Sequence, residues 1–471
     1  MNGRSSSYSG RLVLLQASSA SCWGWPRLEK LDYQNRKVLV LGYGRSGRSA
    51  ISALLALGAN VTLTTNEVIS DEGIRQQLKG WGVEIVDGHH PVSLLNDIEL
   101  IVKNPGIPYT IDFLKEALAR DVPIVTDVEL AYHISPVPII GITGTNGKTT
   151  VTHLIGEMLE RSGFEPILCG NIGYPASQAA REAVPGNILV MELSSFQLMG
   201  VRDFRPDTAV FTNIYEAHLD YHGSKENYVK AKLNLLRNMG QEEKVVFNGR
   251  QRNMVEDMTW LSIEYFSTDG DAEAMIKDNM ITYQKRSLIG VDEVLLEGEH
   301  NHENILAALL AAKNHGASDT AVIETLKHFG SIPHRMEYLG LNQGVGYYND
   351  SKATNNLATS FALKSFRSPV IWIAGGLDRG QSLESLVPDL EHVRLIIAFG
   401  EMKEKFVSLA DELGIDSIVA ENPHDGVIRA TAHAHPGDVV LFSPACASWD
   451  QYKDFEARGD HFKEGFTALD N

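Results

Sequence analysis

Hydrophobic residues in this chain fall into short unbroken runs that alternate with glycine turns and helical repeats, the pattern of buried parallel strands. Lys37-Val38-Leu39-Val40-Leu41 is the first run, and Gly42-Tyr43-Gly44-Arg45-Ser46-Gly47 follows it. Ala50, Leu54, Leu55 and Leu57 then lie on one apolar helix side before a second strand at 60–64. That is a βαβ unit. Strands are also expected at 83–86, 98–102 and 123–125, with Asn104-Pro105-Gly106 where a strand end would bind ligand. A second series opens with Pro138-Ile139-Ile140-Gly141-Ile142-Thr143 and continues with strands at 187–191 and 208–211. A third offers strands at 370–374, 395–399 and 439–442. The fold class is therefore α/β.

The second series carries the most informative turn. Its strand breaks into Gly144-Thr145-Asn146-Gly147-Lys148-Thr149-Thr150, which opens a helix with Val151, Leu154, Ile155, Met158 and Leu159 on its apolar side. Glycines let backbone N–H groups converge on phosphate oxygens, and a helix N-terminus adds partial positive charge. Lys148 is placed to reach the β/γ-phosphates and the Thr149 hydroxyl to ligate Mg²⁺. The common spacing places a glycine six residues before the lysine, and Ile142 stands there instead. A nucleoside triphosphate site is still the expectation. The Gly42–Gly47 turn, by contrast, lacks the acidic residue a dinucleotide fold needs after its second strand, because Thr64-Thr65-Asn66 stands there. NAD is disfavoured, while a nucleotide diphosphate remains compatible with the turn.

Length and charge narrow the field. At 471 residues the chain exceeds one core, and two to four domains are expected. With 42 basic and 60 acidic residues, a net of −18 and no long basic run, a nucleic-acid role is excluded. Positive groups near glycine loops then become the informative ones. Cys22, Cys169 and Cys446 are scattered without metal-ligand spacing, as in a reduced, cytoplasmic protein. No apolar run approaches the roughly 18–20 residues that insert into a bilayer. The Ser-rich segment 1–34 reads as an irregular extension, too short in apolar residues for a signal-peptide core.

Other strand ends carry chemistry. Glu192-Leu193-Ser194-Ser195-Phe196-Gln197 puts a carboxylate beside the phosphate-loop strand, where a nucleotide-bound Mg²⁺ would be held. Thr212-Asn213 through His218 leaves the next strand, and Tyr228–Lys232 reads as one helical turn, on which Lys232 taken alone is a surface lysine. Ser448 with Gln451 forms a capping-box pattern that predicts a helix start after Ala447.

Taken together and in order, Gly-Thr-Asn-Gly-Lys-Thr, Glu192, Asn213 with His218, Tyr228 with Lys232, His300-Asn301-His302-Glu303-Asn304, Pro333-His334-Arg335 and Asp350-Ser351-Lys352-Ala353-Thr354-Asn355 resemble the Mur ligase family of cell-wall synthesis. The segments from Asp350 to Asn355 and from Ser443 to Gly459 resemble its D-glutamate-adding branch. The likeness runs from about Lys37 to the C-terminus. It implies three domains: an N-terminal Rossmann-like one over 35–134, a central P-loop ATPase-type one over 135–332 and a C-terminal Rossmann-like one over 333–471.

The activity implied is ATP-dependent addition of D-glutamate to UDP-N-acetylmuramoyl-L-alanine through an acyl phosphate, by a monomer. Gly144 to Thr150, Asn301, Asn304, Arg335 and Asp350 match the family's ATP contacts. Thr149, Glu192, His218 and a carbamylated Lys232 match its two Mg²⁺ sites. Arg45, Ser46, Thr65, Asn104, Gly106, Asn171, Ser194 and Gln197 fall where the UDP part binds. Lys352, Thr354, Arg379, Ser448 and Phe455 fall around D-glutamate. Lys148, His218, Lys232 and Lys352 are the implied catalytic set. Thr65 and Arg379 replace Asp and Lys of some members. The rivals are another Mur-type or folylpolyglutamate-type ligase, a non-catalytic nucleotide switch, and an NAD oxidoreductase built on Gly42–Gly47, which leaves Lys148, Glu192 and Lys352 without a role.

Overall fold

The computed structural model describes residues 33–470 apart from 297, 331, 332, 365 and 367; nearly all of the extension expected over 1–34, with Cys22, lies outside the described residues. The chain divides into two compact units. One runs through Ser135 and adds Pro175–Glu182 and Phe196–Arg205; the other takes Pro136–Tyr174, Ala183–Ser195 and the chain from Pro206 onward.

The first unit is built on a parallel sheet of β1 (Lys37–Leu41), β2 (Asn60–Thr65), β3 (Glu84–Asp87), β4 (Leu100–Lys103) and β5 (Ile124–Val125), in the order β3-β2-β1-β4-β5. Val38, Leu39, Val40 and Leu41 are all buried, because helices cover both faces of such a sheet. Order reverses between β1 and β4, so the loops leaving these two strands part and open a crevice. The helix Arg45–Ala56 packs tightly on β1 at Gly47, where a Cβ would lie 2.1 Å from the Gly42 carbonyl oxygen. No other residue fits that approach.

The second unit holds two sheets. The larger contains β6 (Ile139–Thr143), β7 (Glu165–Gly170), β8 (Asn187–Glu192), β9 (Thr208–Phe211), β10 (Lys244–Asn248), β11 (Ser262–Ser267), β12 (Ala274–Lys277), β13 (Met280–Tyr283) and β14 (Arg286–Gly290). Their order is β14-β13-β12-β11-β10-β9-β6-β8-β7, with β6 parallel to β8 and β9. Two helices, Lys148–Glu160 and Glu299–Asn314, share the core over this sheet. The second is buried from Ile305 to Ala312 on every side, which explains its nearly unbroken Ala/Leu sequence. Each buried leucine there contributes roughly 1.5–3 kcal/mol.

The smaller sheet contains β15 (Glu337–Asn342), β16 (Val345–Asn349), β17 (Val370–Gly375), β18 (Val393–Phe399), β19 (Asp416–Val419) and β20 (Val439–Ala445), in the order β15-β16-β20-β17-β18-β19. β16, β20 and β17 are mutually parallel neighbours, so the loops leaving them emerge together. The helix expected after Ala447 is not there. The Ser448 carbonyl instead closes a turn by accepting from the Gln451 and Tyr452 amides, while the Gln451 side chain donates to the Glu421 carbonyl. The last helix begins at Phe455, capped by Asp454. Strands β12–β15 were not expected, since their half-exposed residues lack a continuous apolar run. No helix among the described residues is long and apolar enough to cross a membrane.

Candidate functional site

The Gly144–Gly147 loop joins β6 to the helix Lys148–Glu160. The segment leaving β9 clamps it. The Thr145 amide donates to the Asn213 carbonyl (2.8 Å), the Asn146 amide to Asn213 Oδ1 (3.0 Å), and the Thr212 hydroxyl to the Asn146 carbonyl (2.5 Å). Gly147 takes φ 81°, and a Cβ on it would lie 2.1 Å from Asn304 Oδ1. The start of the helix Glu299–Asn314 therefore abuts the loop, with Asn304 donating to Asn301 Oδ1 at 3.3 Å. Lys148 folds back and donates to the Gly144 and Thr145 carbonyls, both at 2.9 Å. Thr150 is half-buried in the first helical turn.

Glu192, at the tip of β8, is the carboxylate of this site. It accepts from the Thr149 hydroxyl and from Asn171 Nδ2, each at 2.7 Å. Arg335 also donates to the Thr149 hydroxyl. Burial pushes the Glu192 carboxyl up, but Lys148, the two hydrogen bonds and Arg335 outweigh it and hold it below the usual range. Hydroxyl and carboxylate are the hard oxygen donors that Mg²⁺ takes, so Thr149 and Glu192 fit that ion.

Lys232 is not a surface lysine. It is 1% exposed, donates to the Gly144 carbonyl at 2.7 Å and sits 4.7 Å from the Tyr228 ring centroid. Burial, then the charge of Lys148, lowers its pKa well below the ordinary value. Lys148 is lowered by burial and Arg335, and Lys352 by burial and then Arg335. The desolvated Lys148, Lys232 and Lys352, together with the exposed Arg335, thus act on one buried carboxylate. Such an arrangement is costly unless a polyanion completes it.

Asp350 leaves β16 and accepts from the Met336 amide (3.2 Å) and the Ser443 hydroxyl (2.8 Å), with burial pushing its carboxyl up to about 7. The Lys352 amide donates to the His334 carbonyl, and its ammonium lies 5.6 Å from the Phe455 ring. Thr354 is half-buried and Ser448 buried. The exposed Arg379 guanidinium lies 4.7 Å over the Trp449 ring. Buried Arg458 ties these loops together through Ser351 and the Cys446 carbonyl.

His218 is exposed, with a left-handed backbone and its ring 6.1 Å from that of Tyr228. Two other histidines escaped the sequence reading. His222 is buried and bonded to the Ser195 hydroxyl at 3.0 Å. His153 is lowered by burial and the charge of Lys352, with Glu192 and Arg335 also acting on it. Its spacing of four from Thr149 on the same helix was the available signal.

In the first unit, a cavity of about 630 Å³ opens at the strand-order reversal. Gly42, Gly44, Thr65, Asn104 and Gly106 line it, together with Arg48 and His90, which sequence reasoning had not singled out. Arg45 and Ser46 begin the neighbouring helix and are not among the lining residues. The Gln197 carbonyl accepts from the Thr126 hydroxyl at 2.9 Å within the same unit, whereas Asn171 and Ser194 belong to the second.

Known families match in the same order. Residues 36–126 match the Mur ligase MurD-like N-terminal domain, 142–312 the Mur ligase middle domain, and 334–446 the Mur ligase, glutamate ligase domain. The UDP-N-acetylmuramoylalanine–D-glutamate ligase of Staphylococcus haemolyticus is 48% identical over 437 residues, covering 92% of this chain and 97% of the relative. That of Macrococcus caseolyticus is 47% identical over 432 residues, covering 91% and 97%. Among solved structures, UDP-N-acetylmuramate-alanine ligase MurC of Thermotoga maritima has a TM-score of 0.53 at 17% identity, covering 92% of this chain and 99% of that one. MurF of Acinetobacter baumannii has 0.54 at 14%, covering 92% of each. These two share the fold. With three family domains in sequence and near-full-length relatives at almost half identity, the chain belongs to the Mur ligase family.

Proposed function

We propose that the protein is an ATP-dependent ligase that joins D-glutamate to UDP-N-acetylmuramoyl-L-alanine in peptidoglycan precursor synthesis. The observation that carries this reading is the convergence of Lys148, Lys232, Arg335 and Lys352 on Glu192 beside a glycine loop. The names of the full-length relatives support the same substrate pair.

A free carboxylate is a poor electrophile without a leaving group. In the proposed reaction an alanyl carboxylate oxygen attacks the γ-phosphorus of ATP, releasing ADP and leaving an acyl phosphate. The D-glutamate amine then attacks the acyl carbon, and phosphate leaves from the tetrahedral intermediate. Every species is polyanionic, so positioning and charge neutralisation supply most of the catalysis. Lys148 serves the β/γ-phosphates, and Arg335 and Lys352 the charge that develops during transfer. Gly144 to Thr150 cradle the phosphates, while Asn301, Asn304 and Asp350 contact the rest of ATP.

Thr149, Glu192, His218 and a carbamylated Lys232 would hold Mg²⁺. When bound, Mg²⁺ screens the phosphate oxygens from one another. Burial and Lys148 favour an uncharged Lys232 amine. Such an amine adds to CO₂, releases a proton and becomes a carbamate whose charge Lys148 offsets. His218, when it is not ligating Mg²⁺, takes a proton from the incoming ammonium. The UDP part occupies the first-unit cavity through Thr65, Asn104 and Gly106, with Arg45, Ser46 and Gln197 assisting; Asn171 and Ser194 are family-implied contacts of the same substrate. Lys352, Thr354, Arg379, Ser448 and Phe455 receive D-glutamate. The enzyme is read as a monomer that acts in the cytoplasm, where its nucleotide substrates are found.

The test is phosphate release with UDP-N-acetylmuramoyl-L-alanine, ATP, Mg²⁺ and either D- or L-glutamate. Release is expected with the D-isomer alone. Equal release with both, or with neither, removes the assignment.

A further inference from the structure

Lys103, the last residue of β4, has no role in the chemistry above, yet it is 1% exposed and forms no ion pair among the described residues. An unpaired lysine is seldom buried, because an ammonium loses most of its hydration there. Its three donors are instead spent on one loop: the carbonyls of Asn104 (3.1 Å), Pro105 (3.0 Å) and Ile107 (2.7 Å). The Tyr109 ring, the ionisable group packed against it, lies 4.7 Å away.

That loop forms a wall of the 630 Å³ cavity through Asn104, Gly106, Ile107 and Pro108. A trans peptide points its C=O and N–H in opposite directions. Drawing three carbonyls toward Lys103 therefore turns the following amide positions away from it. Two of these are Pro105 and Pro108, which have no N–H. The third, Gly106, donates to Asn104 Oδ1 at 3.3 Å. The loop is thus organised from below by one cation, and the Asn104 side chain is set by the result.

We propose that Lys103 is a positioning residue for the anionic UDP-sugar in this cavity, holding the Asn104–Ile107 loop in its binding shape and giving the floor a positive charge when the ligand is bound. This rests on the reading of the cavity as the UDP site. The desolvated ammonium, whose pKa burial lowers to about 7, then gains when a diphosphate arrives.

Isothermal titration of UDP-N-acetylmuramoyl-L-alanine, whose diphosphate is a diester, would be run on wild-type protein and Lys103→Met. Steady-state kinetics on both would accompany it. Lys103→Met is expected to weaken UDP-substrate binding about tenfold or more, as for loss of a charged hydrogen-bonded group. Its kcat and its KM for ATP and D-glutamate should stay within about twofold.

Wild-type titrations at pH 8, in two buffers of different ionisation enthalpy, should show proton uptake on binding. At that pH His90, which also lines the cavity and is held low by burial and His89, stays neutral. Arg48, Glu67 and Asp71 are the other charged residues that line the cavity. This second measurement stands even if Lys103→Met does not fold. A wild-type protein that binds no UDP-substrate removes the cavity assignment. Normal wild-type binding with unchanged affinity in Lys103→Met, or without proton uptake, removes the role of Lys103 alone.

Discussion

The turn after β1 and the loop after β6 are built alike, each a buried strand breaking through glycines into a helix N-terminus. They differ in what surrounds them. Four cationic side chains and one carboxylate crowd the second loop. The first opens on a cavity lined by Thr65, Asn104 and His90, with one arginine, Arg48, offset by Glu67 and Asp71. Glycine geometry alone lets backbone approach an anion; the charge gathered around it sets how much anionic charge is needed to balance the site. The crowded loop suits a triphosphate and charge transfer, while the sparse one suits a diphosphate that is held and left unchanged.

The largest effect expected from breaking this contrast is at Lys148. Lys148→Ala should lower ATP-dependent phosphate release by at least about 10²–10³, as for loss of one preorganised donor. Calorimetric affinity for the UDP-substrate should stay at the wild-type value, and near-normal turnover would remove the phosphate-loop assignment. Lys232→Ala should be inactive yet partly restored by a short-chain carboxylic acid, which replaces the missing carbamate. An active variant indifferent to added acid would return Lys232 to a structural role.

On the sparse side, Thr65→Ala and Asn104→Ala should each raise KM for the UDP-substrate about tenfold, with kcat nearly unchanged, since each removes ground-state binding. A fall in kcat of the same size would mean that this cavity takes part in the chemistry. The smallest effect concerns Asp350. Its folded pKa of about 7 exceeds the ordinary 3.8, so the native state binds the extra proton between these values. Stability from this group is present at the acidic end and is lost as pH rises toward 7. Melting temperature followed from pH 5 to 8 should therefore fall less steeply in Asp350→Asn than in wild type.

Much of the architecture was legible because its causes are local. Lys37–Leu41 and Thr208–Phe211 are strands as their apolar runs require, and the Lys148–Glu160 helix follows from its periodic leucines and isoleucines. The expected helix at Ser448 failed for the opposite reason. The Gln451 side chain is drawn away to donate to the Glu421 carbonyl, thirty residues distant in sequence, and no local rule anticipates that partner. The short, half-exposed strands β12–β15 were missed because their pairing partners, rather than their own pattern, hold them in the sheets.

Residue types at strand ends were enough to name Lys148, Thr149 and Glu192, since a glycine loop and a β-strand tip dictate where those side chains start. Sequence by itself determined the α/β class, the two glycine turns and the family likeness. Only the tertiary structure decided that Lys232 is buried against Tyr228, that His153 and His222 sit among the polar groups of the second unit, and that Lys103 underpins a loop. Burial and electrostatic environment depend on chain segments far apart in sequence, and a side chain's pKa is set by those segments rather than by its neighbours along the chain.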